Sequence, residues 1–206
     1  MNFDDFYSNK NYYFNESYSG GLADCLEKYN VSPCVALDLG AGEGRNSFFL
    51  ASLGFVVISV EPSKVGAEKI LTRAENEKLN IQVYNSEFLS ISRELSELGL
   101  VVALTSLEHM EHNEIGQTVS EIKRILKPGG YVYILVFTED DPGFKKDTNN
   151  ASECSLFIKH YFKKNELKVL FSDFNILEYS EYMKRDTTHG PIHYHGKAKL
   201  FARKPL

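Results

Sequence analysis

Val35-Ala36-Leu37-Asp38-Leu39-Gly40-Ala41-Gly42-Glu43-Gly44 decides how this chain folds. A short apolar run goes straight into closely spaced glycines, and residues 43–53 (EGRNSFFLASL) then carry helical character up to Gly54. A strand that ends in glycines and opens a helix begins a βαβ unit. Downstream, Val56–Val60 (VVISV) reads as a second strand stopped by Glu61-Pro62. Ser63 can N-cap a helix reaching about Leu79, since Ala67, Ile70, Leu71 and Ala74 recur on one helical face. Ile81–Asn85 is a third strand, 90–97 a short helix and Leu100–Thr105 a fourth strand. Residues 113–126 form an amphipathic helix with Ile115, Val119, Ile122 and Leu126 on one face, stopped by Lys127-Pro128-Gly129-Gly130. Tyr131–Phe137 is the fifth strand.

After a polar loop at 138–155 and helical character near 163–172, Ile176–Lys184 and Ala198–Arg203 read as two last strands. No helix signal separates them, so they are expected to pair antiparallel at a sheet edge. The expected fold is α/β: a doubly wound, mostly parallel, seven-stranded, Rossmann-like sheet with an antiparallel C-terminal strand pair. The expected organisation is one domain over 1–206, with an N-terminal cap (1–32), a cofactor-binding core (33–137) and a substrate loop with C-terminal strands (138–206).

The composition suits a globular chain of 206 residues, 43% hydrophobic and 25% charged. With 23 Lys+Arg against 28 Asp+Glu the net charge is −5, which argues against nucleic acid as the main partner. The charge is uneven. Residues 1–103 hold 8 basic and 14 acidic side chains, residues 104–206 hold 15 and 14. An anion-preferring site would therefore draw on the second half. No apolar run approaches membrane-spanning length, and the acidic, polar N-terminus is unlike a signal peptide. Cys25, Cys34 and Cys154 have neither disulfide-framework nor zinc-knuckle spacing, so buried thiols in a reducing cytoplasm are expected.

The glycine turn could serve either of two nucleotide cofactors. A dinucleotide site wants G-x-G-x-x-G with a pyrophosphate on the helix N-terminus. Here the spacing is G-x-G-x-G, with Arg45 where the third glycine would stand. Asp38, two residues before the first glycine, suits a cationic, amino-acid-bearing ligand such as S-adenosylmethionine better than a pyrophosphate. Glu61 at the end of the second strand can accept both ribose hydroxyls in either case. Glu87 lies within reach of an adenine amino group.

VALDLGAGEGRNSFFLASLGFVVISVEPS resembles the first two motifs of class I S-adenosylmethionine-dependent methyltransferases, and EIKRILKPGGYVYILV the helix-turn-strand that follows in that class. More narrowly, GRNS (44–47), YFKKNELKVLF (161–171) and the ending HGPIHYHGKAKLFARKP resemble the TehB-like tellurite-resistance group. The resemblance implies a methyltransferase that uses S-adenosylmethionine and releases S-adenosylhomocysteine. It implies that Gly40, Ala41, Gly42 and Gly44 pack against the amino-acid part of the cofactor and that Asp38 meets its amino group. It further implies Glu61 and Pro62 at the ribose, Glu87 and Phe88 at adenine, and Thr105 and Ser106 beside the sulfonium. The acidic residue that usually enters the fourth strand is absent, replaced by Gly99-Leu100-Val101.

Histidines supply the candidates for chemistry. His109 follows the fourth strand and is either a general base, given an unperturbed pKa near neutrality, or a loop residue that shapes the pocket. His193 and His195 share one face of a strand and, beside Arg185, could bind an oxyanion, form a polar strand edge or hold a metal. No metal is expected, because their spacing fits no standard zinc site. The aromatic start of the chain is expected to close over the cofactor through Tyr13 and Phe14, or to pack on the sheet. The expected function is methyl transfer to a small-molecule acceptor, with a tellurite- or selenite-type oxyanion as candidate. The expected partners are that acceptor alone, without nucleic acid or membrane, in a monomer or homodimer. The alternatives are a non-catalytic binding module on the same fold and an NAD-dependent oxidoreductase, which Gly44 and Arg45 oppose.

Overall fold

A computed structural model describes residues 3–8, 12–14, 16–145, 151, 152, 155, 157–187 and 192–206. Cys154, His189 and Lys146 lie outside the described residues. The elements are α1 (Phe3–Tyr7), α2 (Gly20–Lys28), β1 (Val35–Leu39), α3 (Arg45–Ser52), β2 (Val56–Val60), α4 (Lys64–Glu77), β3 (Ile81–Tyr84), α5 (Phe88–Ile91), β4 (Leu98–Leu104), α6 (His112–Ile125), β5 (Leu126–Phe137), α7 (Glu166–Leu170), β6 (Asn175–Asp186) and β7 (His193–Arg203). They build one seven-stranded sheet of order β3-β2-β1-β4-β5-β7-β6. The first five strands are parallel, and β7 runs antiparallel to both β5 and β6.

The expected α/β sheet and its antiparallel terminal pair are present. Strand alternation explains the two layers. Leu37, Leu39, Val101 and Ala103 face α6 and α7 with Ile115, Ile122, Leu167 and Phe171. Ala36, Val57, Leu100 and Val102 face α2 and α3 with Leu22, Leu26 and Leu50. Every residue of β4 is buried, as a central strand covered on both faces requires. Among the described residues, no helix is long and apolar enough to cross a membrane.

Local chemistry sets the helix starts. Ser63 caps α4 by accepting from the Gly66 amide at 3.1 Å. Glu111 and Glu114 form a reciprocal capping box on α6. The residue missing at the start of β4 has a steric counterpart: a Cβ on Gly99 would stand 2.5 Å from Cys34 Sγ.

Three boundaries differ from expectation. β5 begins at Leu126, because the KPGG stretch stays in the ladder through a register shift between Leu98 and Leu100. Gly129 adopts φ +75°, and Lys204 N donates to Gly130 O, so the expected stop is an irregular strand start. Residues 90–97 give only α5 and a short 3₁₀ turn at Ser92–Glu94. β7 begins at His193 rather than Ala198, since Asp186 pairs with His193 and extends the hairpin ladder. The polar residues at its start read as a connection because their polar face borders a cavity rather than a core.

The order reverses between β1 and β4, where chain crossovers leave in opposite directions. In such sheets a crevice opens beyond the carboxyl ends of the two strands. Gly44, at the base of that crevice, adopts φ +88°, and a Cβ there would meet Ile70 Cγ1 at 2.8 Å and Phe48 at 2.9 Å. Gly44→Ala is expected to cost about 1–3 kcal/mol through left-handed strain and this overlap. Urea unfolding measures it, and an unchanged midpoint would refute the assigned packing.

Candidate functional site

A cavity of about 520 Å³ occupies the crevice. Gly40, Ala41 and Gly42 form one wall. Glu61 and Pro62 come from the end of β2, Glu87 and Phe88 from the start of α5, and Thr105 and Ser106 from the end of β4. Gly40 has φ +67°, and a Cβ on it would lie 2.4 Å from Ser106 Cβ, so the two turns can meet only because position 40 has no side chain. Ser106 Oγ is buried without a hydrogen-bond partner among the described residues.

Glu61 latches the glycine turn. Its Oε2 accepts from Gly42 N at 2.6 Å and its Oε1 from Ser63 N at 2.8 Å, tying the turn to the start of α4. Burial pushes its carboxyl up to about 7, against the pull of those two amides. Asp38 plays a different part from the expected one. It does not line the cavity; its Oδ2 accepts from Ser47 Oγ at 2.6 Å beneath the turn, and Ser59 Oγ donates to the same serine. Burial raises it to about 6. A carboxylate one pleat below the strand end reaches the first turn of α3 before it can reach the crevice. Gly44 likewise packs on α4 instead of lining the cavity.

The N-terminal aromatics roof the cavity. Phe3, Tyr7 and Phe14 line it, whereas Tyr13 does not. Tyr13 stands behind, its ring against Phe6 and Phe14 and its amide donating to Glu43 Oε2 at 2.7 Å. Asp4 fastens α1 to the start of α4, accepting from Ser63 Oγ and from Val65 N.

The opposite end is basic. Arg45, His109, His195, Lys197 and Asp186 line it. Arg185 does not. It pairs with Tyr194 on the other, exposed face of the hairpin, while Asp186 pairs with buried His193. The expected grouping of Arg185 with the histidines is thus corrected by strand parity: adjacent residues point to opposite faces. Lys197 takes that place, since it shares the parity of His193 and His195. Burial lowers its ammonium to about 8, helped by Lys184 and opposed by Asp186. His193 is buried but outside the cavity lining, with its Nε2 3.0 Å from His195 Nε2.

His109 also presents its ring to the cavity. Its Nδ1 lies 3.0 Å from the Phe157 carbonyl, and a carbonyl only accepts, so Nδ1 carries the hydrogen and Nε2 the lone pair. Burial lowers its pKa, keeping it neutral near pH 7.

Arg45, Lys197 and Asp186 are not site candidates in the sequence reading, whereas Phe3 and Tyr7 belong to the aromatic start expected to close over the cofactor, within which Tyr13 and Phe14 are the preferred contacts. In the sequence Arg45 reads only as the residue that stands where a third glycine would. It donates to the Phe14 carbonyl at 3.4 Å and so links the roof to the basic end. The parity of His193, His195 and Lys197 was a usable signal for Lys197.

A family model described as tellurite resistance protein TehB matches residues 2–190. A probable S-adenosyl-L-methionine-dependent methyltransferase TehB from Haemophilus influenzae is 29% identical over 187 residues, which is 86% of this chain and 60% of that protein. The chain thus spans about 60% of the length of that curated relative. The crystal structure of TehB from Haemophilus influenzae superposes with a TM-score of 0.78 at 26% identity, covering 99% of this chain and 68% of that one. A 1,6-didemethyltoxoflavin-N1-methyltransferase from Burkholderia thailandensis, solved with S-adenosylhomocysteine, shares the fold at TM-score 0.66 and 17% identity, covering 91% and 78% of the two chains.

Below the site lies Glu108, fully buried, with both carboxyl oxygens unpartnered among the described residues. Burial raises its pKa from 4.5 to about 8, against the Lys197 charge. The folded state therefore binds more protons than the unfolded chain between those values, and stability falls as pH rises through that window. Glu108→Gln is expected to flatten the slope of unfolding free energy by up to one proton between about pH 5 and 8, on the order of 1.4 kcal/mol per pH unit. Denaturant titrations at several pH values measure this; parallel curves for both proteins would contradict it.

Proposed function

The chain belongs to the TehB tellurite-resistance protein family, and from that premise we propose that it transfers a methyl group from S-adenosylmethionine to a small anionic acceptor. The observation that carries this is the small-residue wall of Gly40, Ala41 and Gly42, whose Gly40 packs on Ser106 and whose Gly42 amide is held by the Glu61 carboxyl. The residues present fit the cofactor. The wall admits the amino-acid part at close range, the orphaned Ser106 Oγ offers a polar contact there, and Glu61 and Glu87 suit ribose and adenine. When bound, the cofactor supplies an electrophilic methyl on a sulfonium, open to in-line attack.

What this chain supplies is alignment and exclusion of water. Phe3, Tyr7 and Phe14 close the cavity with aromatic faces, which attract a cation. Arg45 and Lys197 can orient an oxyanion at the far end. For a tellurite- or selenite-type acceptor the nucleophile is the lone pair of the central atom, so no proton need be removed. A protic acceptor would instead hand its proton to His109 Nε2.

Calorimetry should give saturable binding of S-adenosylmethionine and S-adenosylhomocysteine, weakened at least tenfold by Gly40→Ala. Labelled methyl should appear in selenite or tellurite products. Lys197→Met should raise the acceptor KM about tenfold with cofactor affinity unchanged, the signature of lost acceptor binding. Arg185→Ala should alter neither. Cofactor binding without product from any acceptor would favour a non-catalytic binding module, and no cofactor binding at all would sink the proposal.

A further inference from the structure

The β6–β7 hairpin carries three metal-ligating side chains that the cofactor does not require. Asp186, His193 and His195 are all buried, and one ligand atom from each lies within 4.8 Å of the others. Their convergence follows from register. Asp186 pairs with His193 across the ladder, and His195 is two residues further on the same face.

His195 is held rigidly. Its ring stacks on Phe137 at 4.4 Å and 12°. Its Nδ1 lies 3.0 Å from Asp141 Oδ2, and Asp141 also accepts from the Gly143 and Gly196 amides. An acceptor carboxylate on Nδ1 leaves the lone pair on Nε2. Such an outer carboxylate is the usual support behind a metal-bound imidazole. His193 Nε2 stands 3.0 Å from His195 Nε2. That spacing is near the ~3.3 Å edge of a tetrahedron built on zinc–nitrogen bonds of about 2.0–2.1 Å. One shared proton could also join the two rings, and the test separates the cases.

We propose that Asp186, His193 and His195 bind a divalent cation of the zinc class, whose remaining coordination position faces the cavity and takes an oxygen of the anionic acceptor. Among the described residues, two histidines and a carboxylate supply three ligands to a tetrahedral ion, the count found in sites that take an exogenous fourth ligand. Asp186 and His195 border the cavity, which gives that position its direction. The metal half stands on the geometry alone; the acceptor half rests on the proposed methyltransferase function.

The whole chain, freed of metal by a chelator, is titrated with Co²⁺ and then with Zn²⁺. One equivalent of Co²⁺ should give the strong visible bands of a tetrahedral site, and Zn²⁺ should displace it. His193→Ala and Asp186→Asn should weaken binding at least tenfold. His160→Ala, in the more exposed cluster of His112, His160 and Glu166, should not. If a variant fails to fold, a zinc-dependent rise in the wild-type Tm is the second measure. No cobalt bands in the wild type, bands retained in a folded His193→Ala, or bands lost in His160→Ala would overturn the site. Adding selenite should shift the cobalt bands, and unchanged bands would overturn the acceptor half. Cofactor calorimetry on metal-free and zinc-loaded protein keeps the two ideas apart. Loss of S-adenosylmethionine binding in both would defeat the methyltransferase reading while the metal site stood.

Discussion

The contact between Gly40 and Ser106 governs the rest of the site. A single Cβ at position 40 would lie 2.4 Å from the serine side chain and force the β1 and β4 turns apart. With that atom absent, the two strand ends close on each other and the reversal of strand order becomes a lined crevice. Glu61 then fixes the turn from the other side by accepting from Gly42 and Ser63 together. The turn is thereby held between two neighbouring strands, and everything that borders the cavity is placed relative to it. Even the roof depends on the same frame, because Asp4 reaches the start of α4, the element that Glu61 anchors.

What the sequence made visible follows from which signals are local. The glycine turn, the Ser63 cap and the alternation of strands with helices each depend on a few adjacent residues, so the sheet and the position of its crevice could be read. The start of β5 could not, because KPGG is stop chemistry in isolation and enters the ladder through a register shift against β4 together with pairing to the C-terminal residues. Asp38 shows the same limit from another direction. Its distance from the glycines is written in the sequence, but the reach of Ser47 from the first turn of α3 is a matter of tertiary geometry. Arg185 and Asp186 differ by one position, and in a strand one position inverts the face. Only the register of β6 against β7 selects between them.

The uneven charge of the chain acquires a spatial meaning in the cavity. Carboxylates from the first half, Glu61 and Glu87, stand at one end, and Lys197 and His195 from the second half stand at the other. Arg45 and Asp186 break the pattern, since a cation of the first half and a carboxyl of the second both stand at the basic end. The split is a tendency created by the order of elements. The end nearest β2 and β3 is built from early residues and the end nearest β7 from late ones.

The hairpin of β6 and β7 has a consequence for how such a protein can change over time. It joins the sheet only through the β5–β7 ladder, at the far side from the glycine turn. Its inward face supplies Asp186, His195 and Lys197, while the turns that form the opposite wall of the cavity lie on β1, β2 and β4. Substitutions along that one face can therefore alter what meets the basic end without disturbing the glycine frame. The fold thus separates a glycine frame from a hairpin cassette, and rewriting the single inward face of that hairpin would change what the basic end can hold while the frame stayed as it is.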